Sequence, residues 1–133
     1  MTGEQQYPIR WDLTGEDAIV QGVTWRRYRA ITYMVGSTLT VFNTTGYTAQ
    51  MTIRADYSPS PVLASHTTGI IVSLGALTTS DGQPYSIGIT IPQSVTTALA
   101  PFGIGKWDLI LIDNLGSREM VYHGNAALER SVS

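Results

Sequence analysis

The segment Tyr47-Thr48-Ala49-Gln50-Met51-Thr52-Ile53-Arg54 alternates apolar and polar side chains without a break. Successive side chains of a β-strand point to opposite faces of the sheet, so this pattern predicts a strand with one face on a core and one in water. Thr44-Thr45-Gly46 precedes it and predicts a tight turn at its entrance. The segment Tyr85–Ile91 repeats the alternation. Two such segments predict an antiparallel sheet protein, whose functional features lie on sheet faces, edges and loops.

The sequence on either side predicts more short strands with turns between them. These strands cover residues 23–33, 39–42, 62–65, 70–74, 107–112, 118–122 and 126–132. The run 70–74 is apolar except for Ser73 and is predicted to be buried on both faces of its sheet. Pro92–Leu99 predicts a short helix that begins near its proline, and Asp113–Gly116 predicts a hairpin turn.

Two amphipathic sheets bury their apolar faces against each other. About seven strands with one short helix around 92–99 therefore predict an all-β fold, an antiparallel β-sandwich, in one domain covering residues 19–133. Within it Trp107 is predicted to be a core residue, and Asp108 is predicted to pair with Arg54 if their strands are neighbours.

The N-terminal residues 1–18 lie outside this sandwich pattern. Ile9, Trp11 and Leu13 alternate there with polar residues. The segment either folds back as an extra strand or forms an arm that reaches a partner, where aromatic side chains commonly anchor binding. Ile9, Trp11 and Leu13 are therefore candidate partner-binding residues.

Composition limits the classes of function. Charged residues make up 14% of the chain and its formal net charge is -2, against about 25% charged residues in an average soluble domain. This balance gives no general attraction to nucleic acid or to an anionic membrane. The N-terminus lacks the pattern of a secretory signal and no stretch has the length of a membrane span, so we expect a soluble protein made in a cytoplasm.

Candidate catalytic groups are sparse. The two histidines, His66 and His123, have neither metal-ligand spacing nor clustered carboxylates near them in sequence, and the chain has no cysteine. We therefore expect no metal, no cofactor and no enzymatic activity, with both histidines solvated or packed. The one local charge feature is Arg26, Arg27 and Arg29. It is either a solvated strand face or a partner-binding patch that pairs with acidic groups of a neighbouring subunit.

Several of these segments, taken together, resemble the small immunoglobulin-like domain of tailed-bacteriophage virions, typified by the N-terminal domain of upper-baseplate proteins. The resemblance covers roughly residues 19 to 132, and its most specific motif is Thr45–Arg54. The other matching stretches are Gln21–Trp25, Thr96–Leu99 and Trp107–Asp113. The chain departs from the family pattern at Gln50, where a basic residue is usual, and at Val23, which replaces an acidic one.

The resemblance implies an immunoglobulin-like β-sandwich that serves as a non-enzymatic structural protein of a virion. It would be an accessory tail, neck or baseplate component, made in the host cytoplasm, present in several copies and in contact with other virion structural proteins. Two alternatives remain open at this point. One is a capsid decoration, or cement, protein on the head. The other is a carbohydrate-binding module that presents Trp25 and Trp107 to sugars.

Overall fold

The computed structural model describes residues 8–56, 60–99 and 105–130, which form twelve strands and one α-helix. In chain order the strands are β1 (Ile9–Arg10), β2 (Ile19–Val20), β3 (Trp25–Arg29), β4 (Thr32–Val35), β5 (Thr38–Val41), β6 (Thr48–Arg54), β7 (Val62–Ser65), β8 (Ile71–Thr78), β9 (Pro84–Ile91), β10 (Gly105–Ile112), β11 (Arg118–Ala126) and β12 (Leu128–Glu129). Helix α1 (Gln93–Ala98) lies between β9 and β10, and Gly15–Asp17 form a 3-10 turn.

Most strands belong to two sheets. The larger sheet has the order β1-β11-β10-β6-β7 and is antiparallel except that β1 runs parallel to β11. The smaller sheet has the order β3-β9-β8 and is antiparallel throughout. In the letters used for immunoglobulin domains, the smaller sheet is B-E-D and strands β7, β6, β10 and β11 are C′, C, F and G. The predicted immunoglobulin-like sandwich is therefore confirmed.

The core lies between these two sheets. The larger sheet contributes Met51, Ile53, Trp107, Leu109 and Leu111, and the smaller sheet contributes Trp25, Ile87, Ile89 and Ile91. These residues follow the two-residue period of their strands, so the alternation in the sequence selects the buried face. Trp107 is a core residue, as predicted.

Several local predictions are confirmed. Strands β6 and β9 coincide with the two alternating segments, and α1 begins directly after Pro92. Asp113 forms the predicted turn, since its carboxylate accepts hydrogen bonds from the backbone N–H groups of Leu115 and Ser117. Residues 131 and 132, the end of the last predicted strand, lie outside the described residues.

Two strand predictions need correction. The predicted strand 23–33 is divided, because at Ile31 the chain leaves β3 and enters a separate hairpin made of β4 and β5. The predicted burial of 70–74 on both faces is wrong. β8 is an edge strand whose outer face is open, and Ile71 is 52% exposed.

In its described part, residues 8–18, the N-terminal segment is an extra strand and not an arm. Strand β1 pairs with β11, Leu13 bridges to Ala126, and β2 pairs with β12, all in parallel orientation. The side chains of Trp11 and Leu13 lie in the core, and Ile9 packs against it. Of the two alternatives left open by the sequence, an extra strand or an arm, the described residues form the extra strand. Residues 1–7 lie outside the described part.

Two buried hydroxyls join the hairpin to the smaller sheet. Thr44 Oγ1 accepts a hydrogen bond from the Gly75 backbone N–H (2.6 Å) and donates one to the Ser86 carbonyl (2.7 Å). The Ser86 hydroxyl accepts from the Ile31 backbone N–H (2.9 Å) and donates to the Phe42 carbonyl (2.7 Å). The first pair bridges β8 and β9 where their register shifts between Leu74 and Leu77. The second pair holds both ends of the hairpin against β9.

Candidate interaction surfaces

The outer face of the larger sheet carries a row of polar side chains. Arg10, His123, Asp108 and Thr52 are direct neighbours across β1, β11, β10 and β6, and directly opposed residues share a sheet face. They line part of a shallow depression of about 170 Å³. The row gives this sheet a polar outer surface.

Asp108 is the electrostatically unusual member of this row. Burial raises the pKa of its carboxyl, and the nearby charges of Arg54, Arg118 and His123 oppose that shift. The predicted ion pair with Arg54 is wrong, although β6 and β10 are neighbours as it required. The Arg54 guanidinium instead donates to the Ser60 carbonyl at 2.8 Å, so it acts on Asp108 only through its charge.

Polar side chains in and near the depression form contacts within the molecule. No three His, Cys, Asp or Glu side chains among residues 8–56, 60–99 and 105–130 come together as metal ligands. Lys106 donates to the Asn125 side chain at 2.7 Å, on the strand beside it. His66 lies away from the depression, with Nδ1 3.3 Å from the Met51 carbonyl.

Asp17 is the centre of a second polar cluster, at the 3-10 turn. Its carboxylate accepts hydrogen bonds from Trp11 Nε1 (3.0 Å) and Arg27 Nε (2.9 Å), and its carbonyl accepts one from Trp25 Nε1 (3.1 Å). The hydrogen bond from Trp11 is the main cause of a lowered pKa of Asp17, and Arg27 adds to it. Asp17 thus ties the N-terminal segment to β3.

The predicted arginine patch is divided by this cluster. Arg27 forms an ion pair with Asp17 within the molecule, and it also lies over the Trp25 ring. Arg29 lies over the Trp11 ring, 4.1 Å from its centroid. Arg26 has the opposite parity along β3 and is exposed, and its side chain has no ion pair in the described part of the chain. Arg26 and Arg29 stay predictions as partner contacts, while Arg27 is corrected to an internal contact.

The candidate anchors of the N-terminal segment are corrected as well. Trp11 is 5% exposed and Leu13 is fully buried, so neither side chain can reach a partner, and Ile9 is half-buried on the same core. The alternation of Ile9, Trp11 and Leu13 with polar residues reflects an extended strand with one face on the core. The sequence left this open because an amphipathic strand and an amphipathic arm have the same pattern.

The hairpin of β4 and β5 is a feature that the sequence analysis did not single out. It forms a two-stranded sheet of its own, and every residue from Val35 to Leu39 is exposed. Val35 is 57% and Leu39 64% exposed. Gly36 has φ +62° at the first position of the two-residue turn, a conformation that glycine adopts easily. A signal for this hairpin was present, since the sequence has no charged residue from Ala30 to Ile53.

An aromatic platform for sugars is not formed by the tryptophans. Trp25 is 4% and Trp107 3% exposed, and Trp107 donates its indole N–H to the Trp11 carbonyl inside the molecule. A flat sugar-binding face needs open rings, so this part of the carbohydrate-binding alternative has no support in the structure.

Comparisons with known proteins add no relative. No protein-family model matches the sequence, and no curated protein matches it. None of the described helices is long and apolar enough to cross a bilayer.

Proposed function

We propose that this protein is a non-enzymatic structural component of a tailed-phage virion, docked on neighbouring subunits as an accessory part of the tail, neck or baseplate. The observation that carries the docking role is the exposed hairpin of β4 and β5. Its tip presents Val35 and Leu39 to solvent, on a segment of chain without charge. Exposed apolar groups mark interaction sites when they lie together, and Leu39 lies opposite Met34 on one face of the hairpin.

The assignment to a phage particle is supported by the resemblance. Its most specific motif, Thr45–Arg54, contains all of β6, the strand between β10 and β7 in the larger sheet. The other matching stretches are Gln21–Trp25, which ends at the first residue of β3, Thr96–Leu99 at the end of α1, and Trp107–Asp113, which contains most of β10. Each matching stretch therefore has a defined place in one sandwich.

In this role the hairpin tip would bury Leu39, on the face that it shares with Met34, against a neighbouring subunit. Arg26 and Arg29, on the edge strand β3, would pair with acidic groups of a partner and so fix its orientation. Each contact is small, but several copies in a symmetric particle bind together, and linked binding events strengthen one another. No chemical step is needed for this role.

The test is incorporation into particles by a phage that carries the variant Leu39→Asp. The matched control is Leu115→Asp, since Leu115 is 87% exposed in the turn between β10 and β11. We expect both variants to fold, Leu115→Asp to be incorporated as the wild type is, and Leu39→Asp to be incorporated at least about tenfold less. Equal incorporation of both variants would remove the docking role of the hairpin.

Particle density and quantitative mass spectrometry test the placement. Absence of the wild-type protein from purified particles would overturn the virion proposal. Hundreds of copies at the symmetry of the capsid would replace the tail, neck or baseplate placement with that of a capsid decoration protein.

A further inference from the structure

Strand β8 has a free edge. It pairs with β9 on one side, and no described strand pairs with its other side. In an edge strand every second residue turns its backbone N–H and C=O groups outward, and another extended chain can pair with them. β8 is eight residues long, so this edge is a long one.

The other edges of the two main sheets carry features that hinder pairing. β7 follows Pro61, β1 has two residues, and β3 carries Arg26, Arg27 and Arg29. Charges, prolines and short length are the usual means by which proteins protect a sheet edge. The segment 67–80, which contains β8, has no charged residue and no proline.

A register shift after Leu74 divides β8. Such irregularities twist an edge and interrupt pairing, so the regular part of the free edge is Ile71–Leu74. In this part Ile71 and Ser73 are exposed, and Ile71 is the more apolar of the two.

We propose that β8 of a second copy of this chain pairs with this edge, antiparallel and across a two-fold axis at Ser73. Two copies of an uncharged strand meet without like-charge repulsion, and one surface supplies both halves of such an isologous contact. Ser73 then lies opposite Ser73 of the second copy, and Val72 lies opposite its Leu74. The two three-stranded sheets become one of six strands.

The contact is small, because one strand on each side buries less than the roughly 1,200 Å² of a standard interface. We therefore expect a weak dimer, which forms at high protein concentration or where copies are held close together. This inference does not depend on the virion role, because it concerns the purified chain alone.

The experiment is sedimentation equilibrium of the wild type, Ser73→Lys and Ser117→Lys, from about 10 µM to about 1 mM. Ser117 is the matched control, an exposed serine in the turn of the other sheet. We expect the wild type and Ser117→Lys to dimerise equally, and Ser73→Lys to raise the dissociation constant at least about tenfold, because two lysines then face each other across the axis.

Hydrogen exchange of the wild type locates the contact without any substitution. Among the amides of Ile71–Leu74, we expect those that face outward to exchange more slowly at high than at low concentration, while those of edge strand β3 do not change. A wild type that stays monomeric over the whole range overturns the proposal. A dimer in which these outward-facing amides gain no protection also overturns it. Because this measurement uses the wild type alone, it tests the proposal even if Ser73→Lys fails to fold.

Discussion

Replacing Thr44 with valine tests whether the buried hydroxyls hold the hairpin and the smaller sheet together. Thr44 is fully buried, and its hydroxyl satisfies the backbone N–H of Gly75 and the carbonyl of Ser86, which both belong to buried residues. Valine has the same shape but no hydroxyl. It would leave both backbone groups unpaired, at about 1–3 kcal/mol each, so Thr44→Val should lower the free energy of unfolding by about 3 kcal/mol.

Thr44→Ser is the matched control, because serine keeps the hydroxyl and removes only a methyl group. Its expected cost is about 1 kcal/mol. Urea unfolding of the three proteins measures both values, with similar slopes expected because the folded core is unchanged. If Thr44→Val proved as stable as Thr44→Ser, or more so, packing and not hydrogen bonding would hold the hairpin and the smaller sheet together at this site, and the reasoning would be refuted.

Three further predictions concern the N-terminal segment and the two unusual carboxylates. Leu13→Ala should lower the free energy of unfolding by about 2–5 kcal/mol, because a fully buried leucine leaves a cavity; an unchanged denaturation midpoint would contradict a core role. Asp17→Ala should cost about 1–2 kcal/mol at pH 7. The hydrogen bond from Trp11 lowers the folded pKa of Asp17 below its ordinary value, so this contribution is present above the unfolded pKa and is lost as the pH falls through the folded value. Stability curves of wild type and variant that stay parallel in acid would refute it. At pH 7 the free energy of unfolding of Asp108→Asn should equal that of the wild type or exceed it by less than about 1 kcal/mol. Burial raises the pKa of Asp108 and so disfavours its ionised form in the fold. The difference should close as the pH falls through the raised value, and a clear loss of stability in the variant at pH 7 would contradict it.

The architecture could be predicted where the burial of a strand is visible in the alternation of its own side chains. β6 and β9 each have one face on the core, and their alternation shows it. The predicted burial of β8 on both faces was wrong because its apolar run carries no information about the neighbouring strands. Whether a strand lies at the edge of a sheet depends on which strands the rest of the chain supplies. A mostly apolar run is compatible with a buried central strand and also with a strand at the edge of a sheet.

The surfaces were harder to predict because they depend on contacts between residues that are far apart in the sequence. Arg27 belongs to an internal ion pair only because the 3-10 turn brings Asp17 beside it. Thr44 appears in the sequence as a polar turn residue, yet its partners are Gly75 and Ser86 in strands far along the chain. The exposed hairpin could have been found, since its lack of charge is visible in the sequence.

The parallel pairing of the N-terminal segment with β11 and β12 has a mechanical consequence. Ile9 lies beside Tyr122 and Val20 beside Glu129, so the two ends of the described chain leave this pair of segments in opposite directions. Opposed forces applied there would slide one segment along the other, and the hydrogen bonds between them would share the load instead of opening one by one. The domain should therefore resist stretching along this axis better than a sheet that is peeled from one end.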